Sequence, residues 1–160
     1  MILVDTTVLS NFAHIGRPDL LRLALPDAAT TPQVLTELKR GRTSGHLPDC
    51  DWNWPEMVAL SPAEEARLNH IRRFLGDGEA SCIAVVLERG GVLFTDDLDA
   101  RRYAIRCGLS VSGTLGVLAL LVRDGHLSVQ EADLYLERMR AAGYRSPVKS
   151  VAEIPGFPSG

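Results

Sequence analysis

Residues 78–97 read Gly78-Glu79-Ala80-Ser81-Cys82-Ile83-Ala84-Val85-Val86-Leu87-Glu88-Arg89-Gly90-Gly91-Val92-Leu93-Phe94-Thr95-Asp96-Asp97: a helix, a stop and a strand in direct succession. Cys82, Ile83 and Val86 follow Glu79 at helical spacing, which predicts a helix over 79–88 with Glu79 at the head of its apolar face. Gly90-Gly91 closes that helix, and the unbroken apolar run 92–95 reads as a strand covered on both faces. The strand ends in carboxylates. A second run of the same kind, Ile2-Leu3-Val4, also ends in one, Asp5.

Outward from this unit the elements alternate. Helices are expected over 6–13 and 18–25, then a strand over 28–30. Thr31-Pro32 is a cap followed by proline at the first helical position, and that helix should stop at Gly41. A polar loop over 42–55 carries Trp52 and Trp54, and an edge strand is expected over 57–60. Further helices are expected over 62–75, 100–106 and 114–123, with a strand over 109–112 between the last two. Ser128-Val129-Gln130-Glu131 is a capping box opening a final helix that runs to position 142. This alternation predicts an α/β domain over 1–145, a central, mainly parallel twisted sheet covered by helices. A tail over 146–160, with Pro147, Pro155 and Pro158, should be irregular. In open α/β sheets ligands bind outside the carboxyl ends of the strands, so Asp5 and the Asp96-Asp97 pair are expected to meet.

Composition narrows the class. The chain has 160 residues, 46% of them hydrophobic, enough for one buried core with no Pro/Gly/Ser-rich linker to divide it. The formal net charge of -3 argues against indiscriminate polyanion binding but allows a local basic rim. Cys50, Cys82 and Cys107 are an odd number and too widely spaced for a zinc motif, which predicts reduced thiols, with Cys82 and Cys107 in the core. The opening residues lack the basic flank and length of a signal peptide, and no apolar run approaches a membrane span, so a soluble, cytoplasmic protein is expected.

Each acid has a plain structural explanation beside the chemical one. Asp5 before Thr6-Thr7 is a good helix N-cap. Glu37 lies at the margin of its helix's buried stripe, set by Val34 and Leu38. Glu79 complements a helix dipole in the first turn, which accounts for its position but not for its face. One cap needs one aspartate, yet Asp96, Asp97 and Asp99 all precede the helix at Ala100. Converging acids repel one another, and hard divalent cations, which prefer oxygen ligands, offset that repulsion. His14, His46, His70 and His126 fall in no metal-ligand spacing, and no Ser-His-Asp or Cys-His pairing is evident.

Several segments in this order resemble the PIN-domain nucleases, and among them the toxin components of VapBC-type toxin–antitoxin pairs. They are Val4-Asp5-Thr6-Thr7-Val8-Leu9, the 32–38 segment with its glutamate, Gly78-Glu79-Ala80 with Ile83-Ala84, Leu93-Phe94-Thr95-Asp96-Asp97, Ala100-Arg101 and Gly113-Thr114-Leu115-Gly116-Val117-Leu118. The resemblance implies a three-layer α/β/α sandwich and an acidic quartet at Asp5, Glu37, Glu79 and Asp97, with Asp96 as an adjacent candidate ligand. It places Asp99 as an outer partner and Thr6 and Thr114 at polar positions near the site. It implies Mg²⁺ or Mn²⁺ held by Asp5, Glu79, Asp96 or Asp97, hydrolysis of RNA by activated water, a homodimer and a small antitoxin partner. Many toxin relatives carry aspartate where this chain has Glu79.

Lys39, Arg40 and Arg101 lie just past the acids in sequence and are the expected phosphate-binding cations. Trp52 or Trp54 offers a surface on which a base can stack, against the plainer role of packing beneath the loop. The apolar stripe Leu21-Leu25 is the expected groove for a partner helix.

Four rival readings are weighed. A haloacid-dehalogenase-type enzyme needs a second aspartate where Thr7 stands, and a dinucleotide-binding module needs a glycine-rich turn that Asp5-Thr6-Thr7 lacks. A PIN-like module that only binds RNA or protein, or a PIN nuclease of RNA processing without a toxin role, would share the same fold.

Overall fold

The computed structural model describes residues 1–158; positions 159 and 160 of the expected tail lie outside the described residues. Five strands, β1 (Ile2–Val4), β2 (Ala28–Thr30), β3 (Glu56–Met57), β4 (Val92–Phe94) and β5 (Ser110–Ser112), form one sheet in the order β3-β2-β1-β4-β5. Every pairing is parallel. The chain builds leftward from β1 through β2 to β3, then returns to the other side of β1 with β4 and β5. Connections therefore leave β1 and β4 in opposite directions, which opens a crevice above their carboxyl ends. Val4 is level with Phe94 in the register, so Asp5 and the residues after Phe94 emerge side by side.

Eight helices cover the sheet among the described residues: α1 (Thr6–His14), α2 (Pro18–Ala24), α3 (Pro32–Thr43), α4 (Pro62–Ile71), α5 (Asp77–Arg89), α6 (Leu98–Arg106), α7 (Thr114–Arg123) and α8 (Val129–Ala141). Helices α3, α4 and α5 pack together, while α1, α2, α7 and α8 form a second group, giving the three layers of an α/β/α sandwich. Helix α5 is the most enclosed, with Ala80 through Val86 all buried. Its small residues allow close approach, and burial of Ile83, Val85 and Val86 contributes roughly 1.5–3 kcal/mol each. The capping box at Ser128 and the Thr31-Pro32 start both form, and Ser61 with Glu64 makes a further capping box; each satisfies amides that a helix leaves open in its first turn.

Departures from expectation have local causes. Helix α3 passes Gly41 and ends at Thr43, because Gly41 serves close packing rather than termination: a β-carbon there would lie 2.6 Å from Leu47 Cδ1. Helix α4 stops at Ile71, short of 75, and β3 lies slightly earlier than 57–60. Helix α6 starts at Leu98 because Asp97 is its cap. Cys82 is buried as expected, but Cys107 is exposed, since it ends α6 in a turn on the surface. Leu21 and Leu25 offer no groove: they are 0% and 3% exposed, and α2 turns its apolar face onto α1 and α7.

Between α8 and position 158 the described chain is irregular except for a 3-10 turn, Val151–Glu153. Val151 is fully buried, and Asp133 of α8 accepts from the Ser150 hydroxyl and the Val151 amide, both at 2.8 Å. No helix among the described residues is long and apolar enough to cross a membrane.

Candidate active site

The crevice is a cleft of about 550 Å³ lined by α1, by Glu37, Glu79, Asp96, Asp97 and Asp99, and by the chain just after α8. Asp5 caps α1, with Oδ1 accepting from the amides of Thr7 (3.0 Å) and Val8 (3.3 Å) and from the Thr7 hydroxyl (2.6 Å). Its Oδ2 is buried with no hydrogen-bond partner. Burial pushes the Asp5 carboxyl up to about 7, opposed by the hydroxyls of Thr7 and Thr95 and reinforced by the charges of Glu79 and Asp96. An orphaned carboxylate oxygen in a dry place is costly, and a cap does not need it.

At the end of β4 the three aspartates divide their work. Asp97 is the cap of α6, accepting from the Ala100 amide at 2.7 Å, and it also faces the cleft. Asp96 is held by α1 and α7: Oδ2 accepts from Asn11 Nδ2 (2.9 Å) and the Thr114 hydroxyl, and Oδ1 from the Thr114 amide (2.9 Å). Burial raises the Asp96 carboxyl, and Thr114, Asn11 and Arg101 oppose the rise. Asp99 is exposed on the rim, 3.7 Å from Arg102. Thr114 is not the cap of α7, which is Gly113; its hydroxyl is turned to Asp96.

The other two acids come from the helices behind β2 and before β4. Glu37 of α3 accepts from the Gly78 amide at 2.8 Å and from the Thr6 hydroxyl, which ties it to the starts of α5 and α1. Glu79 is half-buried. Its carboxyl is pushed up by burial first, then by Glu37, Asp97 and Asp77. A β-carbon on Gly76 would lie 2.5 Å from Glu79 Oε2 and 3.6 Å from Glu37 Oε1, so the two glutamates share one corner. Glu37, Glu79, Asp96 and Asp97 thus line one cleft, and Asp5 lies fully buried just behind it, at the start of α1.

None of the expected cations Lys39, Arg40 and Arg101 lines the cleft. Arg101 Nη1 donates to the carbonyls of Thr95 (2.8 Å) and Ser112 (2.9 Å), tying the ends of β4 and β5. Lys39 lines a separate cleft beneath the 47–53 loop, beside Trp52, and Arg40 is exposed on α3 away from both. Trp54 is half-buried with its indole N–H enclosed, a packing position.

Four contributors went unread in the sequence. Thr7 and Asn11 share a face of α1 at a four-residue spacing, a signal that helical geometry carries. Thr7 donates to Asp5 and accepts from the Asp96 amide at 2.8 Å, so one hydroxyl joins the two strand ends. Tyr144 and Arg145, after α8, line the far wall. Burial, then the charge of Asp96, raises the Tyr144 phenol.

Metal fit rests on donor chemistry. No three His, Cys, Asp or Glu side chains among the described residues stand close enough to enclose an ion by themselves. Mg²⁺ does not require such a cage: it keeps several waters and takes one or two carboxylates. The unpartnered Asp5 Oδ2 and the carboxylates of Asp96, Asp97 and Glu79, which line the cleft beside it, suit that demand.

A parallel sheet with a carboxylate-lined crevice at its central strand ends defines an α/β domain built around acids. The family model described as "DUF3368: PIN domain" matches residues 1–155, and the chain belongs to the PIN-domain family. No curated protein and no solved structure matches the chain. Membership places it among nuclease-type proteins, hydrolases acting on nucleic acid that typically use divalent metals.

Proposed function

We propose that this chain is a metal-dependent endoribonuclease and the toxin of a type II toxin–antitoxin pair. The observation that carries the catalytic reading is the buried, unpartnered Oδ2 of Asp5 amid the fields of Glu79 and Asp96. An acid set this self-repelling is stabilised by a cation. Asp5, Asp97, Asp96 and Glu79 would hold Mg²⁺ or Mn²⁺, which, when bound, acidifies water and neutralises charge developing on a phosphodiester.

The protein's own groups do the remaining work. Thr7 fixes the Asp5 carboxylate relative to the Asp96 backbone, and Asn11 with Thr114 orients Asp96. Glu37, held by Gly78 and Thr6, shares a corner of the cleft with Glu79 and acts on it electrostatically. Carboxylates raised by burial accept a proton from attacking water more readily than ordinary ones do. The acid wall excludes a bare polyanion, so RNA enters with its charge offset.

The toxin role rests on the family resemblance of the ordered segments. A homodimer is restrained, in this reading, by an antitoxin whose arginine or lysine enters the acid cleft. The test is RNA cleavage in Mg²⁺ or Mn²⁺, its loss with chelator and with Asp97→Asn, and growth arrest on expression without the neighbouring gene. Metal-independent cleavage, or full cleavage by folded Asp97→Asn, defeats the catalytic reading. Harmless expression of an active nuclease defeats the toxin role alone.

A further inference from the structure

The acid cleft needs a cation for its substrate, and the wall after α8 carries one. Among the described residues, Arg145 is the single arginine or lysine lining the cleft. It is exposed and takes part in none of the ion pairs among the described residues. Arg101, by contrast, is committed to two strand-end carbonyls.

The segment bearing Arg145 is held in place at both ends. Gly143, at φ 114, turns the chain out of α8, and the Tyr144 amide donates to Met139 O at 2.9 Å. Farther on, the Ser146 hydroxyl donates to Val148 O at 2.6 Å, and Asp133 grips Ser150 and Val151. Tyr144 is half-buried beside Asp96, so its neighbour is carried on the rim of the crevice. A guanidinium in that place pairs with phosphate through two parallel N–H donors, a geometry suited to a backbone and indifferent to base identity.

We infer that Arg145 binds a backbone phosphate of single-stranded RNA flanking the phosphate held at the acids, and that the anchored segment after α8 is the substrate-binding wall. This rests on the ribonuclease reading. The charge of one phosphate is met at the acids by a divalent ion; its neighbour along the strand meets Arg145.

The test uses Asp97→Asn protein in Mg²⁺ buffer, so that RNA is retained uncut, and a fluorescein-labelled single-stranded RNA of mixed sequence followed by anisotropy over a KCl series. Added Arg145→Ala should weaken binding about 10-fold and flatten the dependence of log affinity on log salt by about 0.7. Arg145→Lys should restore the slope and part of the affinity, which a merely structural residue would not do. Equal affinity and equal slope for Arg145→Ala overturn the inference and leave the nuclease reading standing. Absence of RNA binding by the parent, together with absence of cleavage by the wild-type protein, overturns both.

Discussion

The Gly78 amide donates to the Glu37 carboxylate at 2.8 Å, and that same carboxylate fills the space a side chain at position 78 would need. Helices α3 and α5 are joined at the site by this contact, and only glycine permits it. Alanine in a helix is ordinarily better than glycine by about 1 kcal/mol. Here Gly78→Ala should instead cost about 1–3 kcal/mol, through overpacking against Glu37. Urea denaturation of Gly78→Ala, Glu37→Ala and the double variant checks this. The double variant should recover most of the loss, and additive costs would show that the two residues are not in conflict.

A second prediction concerns pH and Asp5. Burial holds its carboxyl at about 7 in the folded chain, against an ordinary aspartate value of 3.8, so between those values the folded chain holds a proton that the unfolded chain has released. Stability of the metal-free protein should therefore fall as pH rises from about 4 to 7, by on the order of 4 kcal/mol from this group. Asparagine still caps a helix but does not titrate. Melting temperatures of metal-free wild-type and Asp5→Asn proteins at pH 5 and pH 8 are the check: the variant should lose most of the difference, and an unchanged difference would place its source elsewhere.

Thr7 links the strand ends through its hydroxyl alone. Thr7→Val keeps the shape but leaves the Asp96 amide without its acceptor and takes the hydroxyl donor from Asp5, which retains only the Thr7 and Val8 amides. A cost of about 1–3 kcal/mol is expected, together with weaker Mn²⁺ binding by calorimetry. Thr7→Ser should retain both. Valine and serine variants with identical Mn²⁺ affinity would mean that the hydroxyl only fills space.

Away from the cleft, Glu64 is 1% exposed, accepts from Arg89 Nε at 2.5 Å and closes the capping box with Ser61. The hydrogen bond from Arg89 lowers its carboxyl below the ordinary glutamate value of 4.5. Its contribution is thus complete above that value and is lost as pH falls through the lowered one. Glu64→Gln should destabilise by roughly 1–3 kcal/mol at pH 7, discounted because Arg89 is partly open to solvent. The deficit should shrink below pH 4, and acid-titrated unfolding curves that run parallel would contradict it.

The sequence discloses what depends on periodicity and caps. Asp5 and Asp97 are visible because each ends an apolar run and begins a helix, and Glu79 because its face is wrong for a surface acid. Hidden from it is whatever depends on long-range register. Asp96 looked like a spare beside Asp97 until Asn11 and Thr114 closed on it from two other helices. Arg101 stands next to the acids in the chain, but helix rotation turns its guanidinium back to β4 and β5. Gly41 has the composition of a stop, and Leu47 leaning on it has no local signal. Tyr144 and Arg145 reach the cleft only because α8 returns to α1.

The sheet's borders bear on how copies of the chain can associate. β3 is a two-residue border with both side chains exposed, one of them Glu56, and Pro55 just before it has no N–H to offer. β5 is three residues long, with the Ser112 carbonyl already taken by the Thr95 amide and Arg101. Such stunted margins give a neighbouring chain almost no ladder to extend, which guards against fibre-like stacking. Any pairing of two copies is therefore directed to helix surfaces, where Leu98 and Ile105 of α6 lie 64% and 59% exposed.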